Sequence, residues 1–224
     1  MQSTQKPRVK VCCIASVAEA KLAIRHGAAA IGLVSKMPSG PGVIDEKLIA
    51  EIAAEIPPPI ATFLLTSRQD APSIVAQQKR CGVNTLQLCD AVPVDCYKEL
   101  RANLPGISLV QVIHVTGPES IQGAVSASEH VDALLLDSGN QKLAVKELGG
   151  TGRRHDWRIS RAICEAVNVP VFLAGGLNPD NVQEAIREVN PFGLDICSGL
   201  RTDGHLDESK LKKFFEAIEN HQFA

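Results

Sequence analysis

Eight times along its length the chain passes through a short aliphatic run and then a stretch with apolar residues at three-and-four spacing. The short runs begin near Arg8, Ala29, Pro59, Asn84, Ser108, Val131, Val169 and Pro191 and read as strands. Between them, Val17–His26, Glu46–Ile56, Ala71–Cys81, Val94–Asn103, Ser120–Ser128, Trp157–Val167, Pro179–Val189 and Glu208–Asn220 read as helices. Ser16, Asp45 and the pair Asn178-Pro179 stand where helix starts are expected. Strict alternation of strand and helix demands a parallel sheet covered by helices. Eight units in 224 residues predict an α/β fold of the closed (β/α)8 type, the TIM barrel, in preference to an open doubly wound sheet. No linker or composition break interrupts the series, so one domain spanning residues 1–224 is expected, with residues 1–7 as a flexible tail.

Composition narrows the function classes. Hydrophobic residues make up 45% of the chain, enough for a sizeable core, and with aromatics at 4% that core is aliphatic. A net charge of −2 without a long run of one sign argues against a nucleic-acid or membrane-surface footprint. The longest apolar run, Gly27–Val34, is far short of the roughly 20 residues that span a bilayer, and the polar start Met1–Arg8 lacks a signal-peptide core. A cytoplasmic protein follows. The seven cysteines, at 12, 13, 81, 89, 96, 164 and 197, form no C-x-x-C pair, so reduced thiols are expected and a metal site is not.

Active sites of such barrels sit at the strand C-termini, which directs attention to what ends each strand. The first strand closes "KVCCI". Alternation puts Lys10 and Cys12 on one face and Val9, Val11 and Cys13 on the other. Lys is the poorer fit against helices, so Cys12 should point inward at the catalytic mouth and Cys13 outward into packing. As plain packing residues, both would be small buried hydrophobes. The sixth strand, Val131–Asp137, ends in a carboxylate, suited to acid–base work or to anchoring a loop.

About 38 residues separate the sixth and seventh strand starts, against 21–30 elsewhere, and the excess is a long loop, Ser138–Arg154. It holds Gly149-Gly-Thr-Gly-Arg153; Gly175-Gly-Leu-Asn178 and Ser198-Gly199 follow the last two strands. Glycine lets backbone N–H groups approach an anion, and barrels often bind phosphate in the loops after strands seven and eight. A phosphate site is expected there.

The stretches "KVCCI", "LLLDS", "GGTGRRHDW", "VFLAGGLNPDNVQEAI" and "GLDICSG" together resemble the phosphoribosylanthranilate isomerase family of tryptophan biosynthesis, from about Arg8 to Phe215 and in the right order. The resemblance implies an Amadori rearrangement of N-(5′-phosphoribosyl)anthranilate, with Cys12 as general base and Asp137 as general acid. It implies that Gly150, Thr151, Gly152, Gly175, Gly176, Ser198 and Gly199 hold the phosphate, and that Asp195 lies near the substrate's amino side. No cofactor or metal is implied, because ring opening puts the electron sink in the substrate. The partner is the phosphoribosyl substrate alone, and the assembly a monomer or homodimer. Lys10, about 7 Å along the same strand face, is expected among the substrate-binding residues and would favour a thiolate at Cys12.

Three positions depart from the family pattern. Cys13 replaces a glycine, Pro41 falls where an arginine should meet the anthranilate carboxylate, and Cys89 replaces a histidine. Losing a charge-assisted pair costs about 1.5–3 kcal/mol. Arg153, Arg154 or Lys36 could substitute from nearby loops. Two alternatives stay open: an isomerase of the same barrel acting on a different phosphoribosyl amine, and a non-catalytic phosphate-ligand binder. Elsewhere the expectations are structural. Cys81, Cys96 and Cys164 pack from helices; His26, His130 and His221 sit at helix ends or the surface. The Lys210–Lys213 cluster is a solvated helix face, and His114 could line the pocket.

Overall fold

The computed structural model describes residues 6–141 and 143–220. Eight parallel strands close into a barrel in sequence order, β1 (Arg8–Val11), β2 (Ala30–Val34), β3 (Ala61–Thr66), β4 (Thr85–Leu88), β5 (Ser108–His114), β6 (Ala133–Asp137), β7 (Val171–Leu173) and β8 (Gly193–Ile196), with β8 pairing back onto β1. Helices α1 (Val17–Arg25), α2 (Glu46–Ala54), α3 (Ala71–Cys81), α4 (Val94–Asn103), α5 (Glu119–Ser128), α6 (Trp157–Ala166), α7 (Val182–Val189) and α8 (Glu208–Glu219) follow the strands in turn. The fold is the expected (β/α)8 barrel. No helix among the described residues is long and apolar enough to cross a membrane.

Helix starts follow side-chain chemistry. Ser16 accepts from Glu19 N, Asp45 from Leu48 N and Asp70 from Ser73 N, each satisfying a first-turn N–H that has no partner within its helix. The expected start of the seventh helix at Pro179 is corrected to Val182. Asn178 Oδ1 instead accepts from the N–H groups of Asp180 and Asn181, and this local turn uses up the capping oxygen before the helix begins. The sixth strand begins at Ala133, two residues later than expected, and several helix ends differ by one or two residues, as frayed ends do. Of the expected tail, residues 1–5 lie outside the described residues, whereas Pro7 is buried and Lys6 pairs with Glu219 at 3.2 Å.

The strands divide two cores. Val9, Val11, Leu33, Leu64, Leu86 and Leu134 face the helices, while Ala30, Phe63, Leu65, Val110, Val112, Leu135 and Phe172 fill the interior. Phe63 meets Phe172 edge to face at 6.0 Å across that interior. Cys12 belongs to the interior layer, as alternation requires. A two-stranded hairpin, β9 (Arg201–Thr202) with β10 (His205–Leu206), follows β8. Its Arg201 guanidinium donates to the carbonyls of Cys12 and Cys13 and pairs with Glu19 at 3.2 Å, which fixes the end of β1.

Candidate active site

The C-terminal ends of the strands surround one cavity, about 680 Å³ counted out to open solvent. Beneath it lies a buried ion pair. The β1–β8 register sets Lys10 opposite Asp195, and Lys10 Nζ donates to Asp195 Oδ1 at 2.8 Å. Lys10 is 0% exposed and Asp195 8%. Burial alone would lower the Lys10 ammonium, but the Asp195 carboxylate, and after it Cys12, hold it above the ordinary lysine range. Burial also raises the Asp195 carboxyl, which Lys10 offsets only in part, so Coulomb attraction is what keeps the pair charged.

Gly32, in the middle of β2, makes room for this arrangement. A Cβ there would stand 2.7 Å from Cys12 Sγ and 3.0 Å from Lys10 Nζ. The signal was in the sequence: a glycine inside an aliphatic strand marks a close approach by another group.

Asp137 closes β6 at the far side of the mouth and is 8% exposed. Ser138 N donates to its Oδ1 at 2.7 Å, and the Ser138 and Thr151 hydroxyls share a hydrogen bond of 2.6 Å. The long loop folds back over the carboxyl, since a Cβ on Gly149 would lie 2.7 Å from Asp137 Oδ2. Cys89 connects the two sides. Its thiol is pushed up by burial first and then by Cys12, with Asp137 adding to the effect. One buried side chain therefore feels both groups. Cys89 lines the cavity beside Gln87, whose buried Oε1 has no partner among the described residues.

Gly150, Thr151, Gly152, Gly175, Gly176 and Ser198 line one rim of the cavity together. Gly150, Gly152, Gly175 and Gly176 have φ between 66° and 86°, in the left-handed region that favours glycine. The N–H groups of Gly152, Gly176 and Ser198 donate to no other described residue. Ser198 opens a single 3-10 turn, Ser198–Leu200, whose first N–H groups have no partner within it.

Four expectations differ from what is found. Cys13 does not pack outward. β1 ends at Val11, alternation stops with it, and Cys13 adopts φ 61°, which turns its thiol into the cavity against Pro41 O at 3.7 Å. The cysteine thus takes the left-handed conformation that a glycine would take more cheaply. Lys10 does not reach the cavity surface but lies sealed behind Cys12 and Asp195. Gly199 is also off the lining; a Cβ there would be 2.2 Å from Leu177 O, so it lets the loops after β7 and β8 touch. His114 lines a separate cleft with α4 and α5 residues, its Nε2 on Cys89 O at 3.0 Å.

Among the described residues, no lysine or arginine lines the cavity. Pro41 does, against Gly150. Arg153 pairs with Glu147, Arg154 lies over the Trp157 ring at 3.4 Å and pairs with Glu184, and Lys36 is exposed and off the lining. The remaining expectations are met by Cys81 and Cys96, which are buried in the core, and by Cys164, which packs against it; His221 lies outside the described residues. His130 stacks on Tyr97 at 5.4 Å and His26 caps α1. Lys212 and Lys213 are exposed, whereas Lys210 donates to Arg201 O at 2.7 Å.

Chemistry-bearing side chains at the C-terminal mouth of a closed eightfold barrel, with glycine loops after β6 and β7 and Ser198 after β8, define a (β/α)8-barrel enzyme. Known proteins narrow the class. Residues 9–217 match the N-(5′-phosphoribosyl)anthranilate (PRA) isomerase family, and the chain belongs to that family of isomerases. It is 41% identical over 218 residues to N-(5′-phosphoribosyl)anthranilate isomerase 2 of Methanosarcina mazei, covering 96% of each chain. To the isomerase of Haloferax volcanii it is 34% identical, over 94% of this chain and 91% of that one. Among solved structures, phosphoribosyl anthranilate isomerase from Thermococcus kodakaraensis superposes with a TM-score of 0.79 at 28% identity, covering 96% and 99%. The Thermotoga maritima enzyme gives 0.80 at 26%, covering 95% and 98%.

Proposed function

We propose that the protein isomerises N-(5′-phosphoribosyl)anthranilate by an Amadori rearrangement, a step of tryptophan biosynthesis. The reading rests on one observation: Cys12 and Asp137, from opposite sides of the barrel, line a single cavity that also carries a rim of glycine loops with free N–H groups. The rim, Gly150, Thr151, Gly152, Gly175, Gly176 and Ser198, holds the phosphate through backbone amides. That binding energy positions the ribose between the two reactive groups.

Asp137 as acid gives its proton to the ribose ring oxygen, and the C1–O bond breaks to leave an open-chain Schiff base. Cys12 as base removes the proton from C2, and the electron pair moves toward the iminium nitrogen to give an enolamine. Tautomerisation to the 1-deoxyribulose 5-phosphate completes the reaction, and the substrate itself serves as electron sink. Lys10, charged by its pairing with Asp195, lies behind Cys12, and Asp195 lies toward the amino side of the bound sugar.

Loss of the fluorescence of phosphoribosylanthranilate tests the reading. Wild type should turn the substrate over, while Cys12→Ser and Asp137→Asn each lose about a hundredfold or more, the share general acid–base catalysis supplies. Unchanged activity in both variants overturns the assignment. Pro41, at the position where the family carries an arginine, favours a second reading, an isomerase for a phosphoribosyl amine whose aglycone carries no carboxylate. No turnover of phosphoribosylanthranilate, with phosphate-ester binding retained, would select it.

A further inference from the structure

Three cysteines, Cys12, Cys13 and Cys197, crowd one side of the cavity, and the proposed chemistry uses only the first. The β1–β8 register sets Val11 opposite Ile196, and carried one residue further it brings Cys12 beside Cys197; Cys12 N donates to Ile196 O at 2.8 Å. Cys13 then turns into the cavity through its left-handed φ, where its thiol lies close enough to those of Cys12 and Cys197 to interact with both electrostatically. Neighbouring strands lie about 4.8 Å apart, so a residue one step on from Cys12 stands about 6 Å from Cys197 between Cα atoms, within the roughly 4.4–6.8 Å that a disulfide needs. A left-handed non-glycine is strained, and here it aims a thiol where glycine would leave open space. Of the other cysteines, Cys81, Cys96 and Cys164 lie on helices, and Cys89, just after β4, lines the same cavity but is fully buried.

We propose that Cys13 and Cys197 are an oxidisable thiol pair at the active-site mouth, joined into a disulfide by a peroxide with loss of turnover. Cys197 reacts first. It is partly exposed at the lining, and its interaction with Cys13, with Arg201 nearby, holds its thiol down against burial. Its thiolate attacks one peroxide oxygen, the O–O bond breaks, and the departing hydroxide takes the proton Cys197 released. The Cys13 sulfur then attacks the Cys197 sulfenic acid; the S–S bond forms, the S–O bond breaks, and the oxygen leaves as water with the Cys13 proton. Two thiols and one hydrogen peroxide become one disulfide and two waters. The bond pulls Cys197 toward β1, and with it the adjacent Ser198 whose N–H faces the rim, so the phosphate grip and the approach to Cys12 are lost together.

The test is exposure of the full chain to stoichiometric hydrogen peroxide, followed by tryptic mass spectrometry. Cys12 and Cys13 fall in the peptide Val11–Lys21 and Cys197 in Glu188–Arg201. Wild type and Cys12→Ser should give the cross-linked pair of peptides, and Cys13→Gly and Cys197→Ala should not. Isomerase activity of wild type should fall more than tenfold and return with dithiothreitol, while Cys13→Gly keeps at least half its activity. No cross-link in wild type, or one that persists in Cys13→Gly through Cys12, overturns the proposal. The cross-link is read by mass, so its absence is distinguishable from a failure of the isomerase reading.

Discussion

Removing the carboxylate of Asp195 leaves the Lys10 ammonium, with no exposure to water, beside Phe63 at 5.2 Å and without a counter-charge. Breaking a buried pair by deleting one partner costs about 3–5 kcal/mol. For a chain of this size each kcal/mol moves the melting temperature by about 2–4 °C, so Asp195→Asn should melt about 6–20 °C below wild type at pH 7. The pH dependence carries an independent signature. In wild type the folded Lys10 is raised above its unfolded value near 10.4, so its contribution is complete below that pH and is lost as pH rises through the folded value. In Asp195→Asn the carboxylate's raising effect is gone and burial, the largest single influence, pulls Lys10 down. The unfolded chain then binds the extra proton, and stability should rise with pH between about 8 and 10 where wild type is flat. Replacing both partners with apolar residues, Lys10→Met with Asp195→Leu, should recover most of the loss. Circular dichroism melts across pH measure all three. A variant melting within 2 °C of wild type and flat in pH would refute the view that Asp195 holds a charged Lys10.

Gly32→Ala drives a methyl group into the space of Cys12 Sγ and Lys10 Nζ; displacing the thiol by about 1 Å should lower kcat/KM about a hundredfold, with a loss of about 1–3 kcal/mol in stability. Turnover within threefold of wild type would detach that thiol from the chemistry. Gly176→Ala strains a φ of 67° and meets the backbone of Arg153 and Arg154 at 3.0 Å. Inhibition by inorganic phosphate should weaken at least tenfold, and inhibition equal to wild type would place the phosphate elsewhere. Pro41→Arg adds a cation to the lining; the KM for phosphoribosylanthranilate should fall by about ten- to a hundredfold with kcat nearly constant. A KM that is unchanged or higher would mean the aglycone carboxylate does not lie against residue 41.

The barrel was legible because alternation of period-two and three-and-four patterns is a local property, and eight repeats leave little else to build. The inward aim of Cys12 followed from the same periodicity. Cys13 escaped it because periodicity holds only while the strand lasts, and β1 stops at Val11. Past that point the direction of a side chain depends on one backbone torsion, which no spacing encodes. The burial of Lys10 was hidden for a different reason. Its partner is 185 residues away, and only the closing register of β8 on β1 brings them face to face. Gly32 stood in plain view, but a glycine shows only that something comes close, not that it is the thiol. Local patterns thus specify the scaffold and the rim of glycines, whereas the electrostatics behind the thiol come from closing the ring. It follows that the site's most sensitive positions are the ones at the β1–β8 seam, where an ion pair, two thiols and the Arg201 tether depend on a single register.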